Sequence, residues 1–220
     1  MADIRINGRR FPVLQAVDTL GSLVQKIEAM GQRNNTFLTS LSLNGRNTNL
    51  DSADFMRIKL ASDDKIDARM ESSEQLAFES LHVAQEMAEL LIFDLKVATL
   101  HLWENTRQQD KSLETLLNDC SLFLTLGARP HELLGQNPND LEGSAKECLK
   151  NLDAVANHIE DATLLAANGH FKKSCHVMVA RVIPSIEKWL GLTPLFAEQL
   201  QLDTAQPPVL NNDWLNQSSI

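Results

Sequence analysis

The 220-residue chain has no Gly-rich phosphate loop, no G-x-S-x-G element and no His–Cys spacing suited to a nucleophile and its base. These absences turn the expectation away from catalysis, although scattered residues can still assemble a site. Only 9 Gly and 7 Pro are present, and hydrophobic residues make up 43%. A core is therefore affordable, and disorder is expected only toward the C-terminal end. The three cysteines, Cys120, Cys148 and Cys175, are odd in number and too far apart for a zinc knuckle. Each falls on the apolar stripe of an expected helix, as small buried thiols in a reducing compartment do. The opening MADIRINGRR has no apolar signal-peptide core. The most apolar stretch, Met87 to Trp103, contains Glu89, Asp94, Lys96 and His101, too many charges for a bilayer span. A cytoplasmic protein without a membrane partner is expected.

What charge there is falls unevenly. Residues 1–71 carry 10 Lys and Arg against 9 Asp and Glu, a net of +1. Residues 72–220 carry 10 against 20, a net of −10. Such an acidic half repels phosphate backbones, so no nucleic-acid partner is expected there. Arg5, Arg9 and Arg10 lie close together in the first half, where they either form a small basic patch or solvate a strand face.

The N-terminal pattern changes every few residues. Asp3–Asn7 alternates, with Ile4 and Ile6 on one face, and Asn7-Gly8 suits a tight hairpin turn. Arg9–Leu14 is the expected return strand. Asp18 is placed to cap a helix through Leu20, Leu23, Val24, Ile27 and Met30, with Gly31 ending it. Phe37–Asn44 alternates again, which sets Phe37, Thr39, Leu41 and Leu43 toward the core. Asn44-Gly45 makes a second turn, Thr48–Leu60 is irregular, and Lys65–Met70 gives a last strand with Ile66, Ala68 and Met70 in phase. This order of strand, strand, helix, strand, irregular connection, strand resembles the β-grasp, or ubiquitin-like, superfamily over about one third of the chain. Conjugated and sulfur-carrying members end in a flexible Gly-Gly. Here the last strand runs into Ser72-Ser73, and the chain ends Gln217-Ser218-Ser219-Ile220. The resemblance then implies the fold's other use, a compact sheet that docks a partner through its open face or edge. The bland alternative is a module that only covers part of the helical half.

From Ser72, which with Gln75 reads as a capping box, the period shifts to seven. Leu81, Ala84, Ala88, Leu91, Leu95, Ala98 and Leu102 form one seam. A second row, Met87, Leu90, Phe93, Val97 and Leu100, predicts a helix buried on more than one side. A second helix is expected over Lys111–Leu126, ended by Gly127 and Pro130, and a third over Asp140–Ala167, ended by Asn168-Gly169. A fourth is expected over Phe171–Leu190 with a kink at Pro184. Short connections make neighbouring helices antiparallel. The unequal lengths mean either that the short helices extend through Pro130 and through Pro194–Leu202, or that the long pair protrudes and self-associates.

An enzyme reading would place a metal or substrate among Glu79, His82, Glu86, His101 and His158. Glu79-x-x-His82 has the spacing of di-iron carboxylate bundles, but no second Glu-x-x-His accompanies it. His170-Phe171-Lys172-Lys173 is the nearest approach to a histidine phosphotransfer site, yet it sits at a helix start and not mid-helix. In the tail, Pro207-Pro208 sets an extended path, and Trp214 and Leu215 are large apolar residues in a polar setting, suited to docking. The reading is an α+β chain: a β-grasp-like module over 1–71, an acidic antiparallel four-helix-type bundle over 72–203 and an extended tail over 204–220. A non-catalytic adaptor, assembly factor or chaperone-like protein is expected, without cofactor or metal and able to dimerise through its long helices. Partner binding is assigned to Arg5, Arg9, Trp214 and Leu215. The alternatives are a metal-containing bundle enzyme and a phosphotransfer-like signalling protein.

Overall fold

Two Asn-Gly turns set the frame of the N-terminal sheet. The computed structural model describes residues 2–11, 17–48, 50, 52–104 and 110–202. Asn7 and Gly8 take φ of 49° and 77°, and Asn44 and Gly45 take 53° and 77°. This left-handed pair suits a two-residue hairpin, and Asn and Gly tolerate it. The first turn joins β1 (Asp3–Ile6) to β2 (Arg9–Arg10), and the second joins β3 (Thr36–Leu43) to β4 (Arg46–Asn47). Strand β5 (Lys65–Ser72) lies between β1 and β3, parallel to the first and antiparallel to the second. The order is β2-β1-β5-β3-β4. Asn7 adds one more link, since its Oδ1 accepts the Met70 N–H at 2.9 Å and its Nδ2 donates to the Met70 carbonyl at 3.0 Å.

Helix α1 (Leu20–Gln32) supplies Leu20, Leu23, Val24 and Ile27 to a core shared with Ile4, Ile6, Leu41, Ile66, Ala68 and Met70. The cap is Thr19 and not Asp18: Thr19 Oγ1 accepts the Ser22 N–H at 3.2 Å, and Ser22 Oγ accepts the Thr19 N–H at 3.3 Å. A cap is worth about 1 kcal/mol, less than the burial of one leucine. The apolar stripe thus fixes where the helix lies, and the cap only where it starts. Gly31 does not end the helix, which runs on to Gln32. It sits where a Cβ would collide with the Thr36 carbonyl and the Met70 side chain. Among the described residues the return strand covers Arg9–Arg10; positions 12–14 of the expected Arg9–Leu14 lie outside them. The irregular stretch contains β4 and a short helix, α2 (Ala53–Met56).

Strand β3 departs from the simple alternation. Leu38 pairs with Met70 and Ser40 with Arg69, leaving Thr39 as an inserted residue. This β-bulge moves the side chains before it to the opposite face. Leu38, Leu41 and Leu43 pack on the core, whereas Phe37 and Thr39, expected inside, are exposed.

The chain divides into two compact units between Gln75 and Leu76. Ser72 closes β5, and its Oγ accepts the Gln75 N–H at 3.1 Å to begin α3 (Ser73–Glu104). Then follow α4 (Asp110–Leu133), α5 (Gly143–Ala167), α6 (Phe171–Val177), a π turn (Met178–Val182) and α7 (Ile183–Gln199). The expected seam of α3 is buried from Leu81 through Ala84, Ala88 and Leu91 to Leu95. It joins Cys120, Phe123, Cys148, Leu152, Val155, Ile186, Trp189 and Phe196 in one core. Phe123 and Trp189 meet edge to face with ring centroids 4.9 Å apart.

The short helices do extend, as the first of the two length alternatives requires. Helix α4 passes through Gly127 and Pro130. Gly127 is used for close packing, since a Cβ there would stand 3.2 Å from Leu152 and Trp189. The stop is Gly135, at φ 64°, with Gln136 N–H on the His131 carbonyl at 2.9 Å and Gly135 N–H on the Glu132 carbonyl at 3.0 Å. That is a Schellman closure. Helix α5 begins at Gly143, three residues later than expected, and ends at Asn168-Gly169 as its sequence implies.

Near Pro184, where a kink is expected, the helix carries a π turn. The Ile183 N–H reaches back to the Met178 carbonyl, and Pro184 falls in the first turn of α7, where a missing N–H costs least. Pro194 lies inside α7 and cannot donate to the Leu190 carbonyl. The buried Thr193 hydroxyl donates to that carbonyl instead, at 2.9 Å, and accepts Gln85 Nε2 of α3 at 2.7 Å.

Thr193→Val keeps the shape but strands the Leu190 carbonyl and the Gln85 amide, so unfolding in urea should show a loss of about 1–3 kcal/mol, with Thr193→Ser largely sparing it. Gly31→Ala gains about 1 kcal/mol of helix propensity yet should be destabilising by about 1–3 kcal/mol net, because the added methyl meets backbone that cannot yield.

Candidate docking surfaces

Helix α3 is apolar on two opposite sides. At 3.6 residues per turn the buried seam and the row Val83, Leu90, Phe93, Val97, Leu100 face away from each other. The expected second row, Met87, Leu90, Phe93, Val97 and Leu100, is covered only in part. Met87 is half-buried against the core and Val97 half-buried, whereas Leu90 is 64% exposed, Phe93 65% and Leu100 68%, and Val83, not in the expected row, is exposed beside them. The reason is that the apolar faces of α4, α5 and α7 all converge on the Leu81–Leu95 side. Single exposed leucines are ordinary, but a row in register along one helix face is not. Glu86 interrupts the row and pairs with His82 at 3.4 Å, and at its border Lys96 Nζ meets Glu187 of α7 at 3.3 Å.

On the sheet unit, Arg5 and Arg9 do not share a patch. Arg5 stands opposite Arg10, and Ile6 opposite Arg9. Directly opposed residues share a face, so Arg5 and Arg10 lie on the outer face and Arg9 on the other side, at the edge. Asp3 binds both outer arginines, Arg5 at 3.2 Å and Arg10 at 3.6 Å. Along the same outer face, Arg69 Nε contacts the buried Glu71 carboxylate at 2.6 Å, and the exposed Phe37 stands opposite Glu71. A shallow hollow of about 360 Å³ is lined by Asn7, Ser40, Ser42, Asn47, Asp67 and Arg69. This face is polar and self-paired, with one exposed aromatic. Trp214 and Leu215 lie outside the described residues.

Glu86 pairs with His82 in solvent, and Phe78 stacks on the His82 ring at 6.3 Å. The side chain of His101 is outside the described set, His158 is half-buried on α5 and His170 is exposed at the start of α6. Among the described residues no three His, Cys, Asp or Glu side chains come together as metal ligands would. Two buried polar atoms, Nδ1 of His131 and Nε1 of Trp189, have no hydrogen-bond partner among the described residues. No described helix is long and apolar enough to cross a membrane.

No protein-family model, no curated protein and no solved structure matches the chain.

The three thiols are free and buried. Burial pushes Cys120 up to about 12, with Asp119 adding to the shift, and burial pushes Cys148 up to about 12 as well. A thiol held neutral in the fold but free to ionise when unfolded stabilises the protein below the ordinary thiol range. That contribution is lost as pH rises toward 12. Stability measured by urea titration should therefore fall from about pH 9 upward, and the fall should be shallower in a Cys120→Ala/Cys148→Ala double variant.

Proposed function

We propose that the chain is a non-catalytic protein-binding protein of the cytoplasm, an adaptor, assembly factor or chaperone-like protein. In this reading a β-grasp-like module precedes an antiparallel helical bundle, and self-association through the long helices is part of its working state. The observation that carries the reading is the exposed row Leu90, Phe93, Val97 and Leu100 on α3. An apolar row of this kind in water favours association with another apolar surface. The strand order β2-β1-β5-β3-β4, with parallel central strands and α1 on one face, supports the β-grasp resemblance. Fold resemblance alone assigns no activity, so the weight rests on the surface. The open sheet face, with Phe37 between charged neighbours, is a second and more polar docking candidate.

The test is affinity capture of the full chain, followed by reconstitution from purified components. The intact protein should retain a stoichiometric protein partner, a second copy included. Leu90→Asp/Leu100→Asp, substituted in solvent and so expected to fold, should reduce retention at least tenfold. If the intact chain retains no protein and does not self-associate, the reading is overturned.

A further inference from the structure

The exposed row of α3 has a geometry that selects one occupant. Positions 83, 86, 90, 93, 97 and 100 alternate by three and four, the spacing of a and d sites in a coiled coil. The row spans about 26 Å at 1.5 Å per residue, long enough for six layers of interlocking side chains. Residues 89 and 96 border it on one side, and 87 and 94 on the other.

We propose that α3 pairs antiparallel with α3 of a second copy of this chain, centred between Leu90 and Phe93. The pairing rests on the protein-binding reading and makes it specific. In this register Leu90 packs on Phe93 of the other copy, Val83 on Leu100, and Glu86 on Val97, each twice by symmetry. Four of the six layers are wholly apolar. The flanking positions bring Glu89 beside Lys96 of the other copy, again twice, and set Met87 against Asp94. Sliding one heptad, to centre between Phe93 and Val97, likewise gives four apolar layers, Leu90 on Leu100 and Phe93 on Val97, each twice. It also places Lys96 on Lys96 and Asp94 on Asp94. A parallel, in-register pair would stack Glu86 on Glu86 and put Glu89 beside Asp94. Like charges facing across a seam disfavour a pairing, so the flanks leave the first register as the matched one. Glu86 at a core position weakens the pair and at the same time pins its register, as single polar core residues do. Lys96 holds an exposed intrachain contact to Glu187 at 3.3 Å. Such pairs are weak, so Lys96 can turn toward Glu89 of the second copy at little cost.

The test is sedimentation equilibrium of the full-length chain over about 1–200 µM, where an interface of modest size dissociates. A reversible dimer is expected, and Phe93→Asp should weaken it at least a hundredfold. Glu89→Lys alone and Lys96→Glu alone should each weaken it about tenfold, since each sets like charges face to face twice. Glu89→Lys/Lys96→Glu together should restore it to within a few fold, although the contact to Glu187 stays broken. Circular dichroism and urea unfolding keep folding defects separate from association. A dimer indifferent to Phe93→Asp overturns the proposal. So does one that Glu89→Lys strengthens, because that substitution favours the parallel pair. A monomer throughout the range overturns the self-pairing, yet it leaves the protein-binding reading standing if a different purified partner still binds and is lost on Leu90→Asp/Leu100→Asp.

Discussion

The helical unit depends on a seam of alternating small and large residues on α3. Ala84 and Ala88 are fully buried there, and Leu81, Leu91 and Leu95 add the larger side chains that join the shared core. Small-against-large interlocking gives a densely packed interior without voids. Gly127 applies the same principle from α4, where even a methyl group would crowd Leu152 and Trp189. Once this seam is satisfied, the geometry of a helix turns Leu90, Phe93 and Leu100 away from it. A single helix that is apolar on two opposite sides cannot bury both within a bundle gathered on one of them.

The sheet unit solves a different problem. Among the described residues its edge strands are short, two residues each at β2 and β4, and such edges offer little to a stray strand. Its inner face is closed by α1, and its outer face is covered by its own charges, Asp3 with two arginines and Arg69 with Glu71. The sheet face is thus inwardly paired, whereas the row on α3 is not.

Much of this was legible in the sequence, and the misses have physical causes. The Asn-Gly turns, the alternation through Ile66, Ala68 and Met70, and the seven-residue seam are local signals that directly encode their structures. The phase of β3 was not readable, because a bulge at Thr39 is fixed by pairing with β5, thirty residues away, and nothing in FLTSLSL marks it. Helix ends near Pro130 and Pro194 were placed too early. The sequence rule weighs the lost backbone bond but cannot see the packing around Gly127 or the hydroxyl of Thr193 that compensate for it. For the docking surface, both apolar rows on α3 were readable. Which of them the chain itself covers depends on where the other helices gather, and that is a tertiary fact. Arg5 and Arg9 looked adjacent because proximity in sequence says nothing about which face of a hairpin a residue occupies.

The turn around Pro194 also bears on the order in which the protein folds. Its carbonyl at Leu190 is served by Thr193, and Thr193 is in turn held by Gln85, a residue 108 positions earlier in the chain. A contact of that separation closes a long loop and forms only after much chain entropy has been surrendered. The bond between Thr193 and Gln85 therefore forms only once α3 meets α7, whereas the Schellman closure at the end of α4 joins residues no more than five apart in the chain.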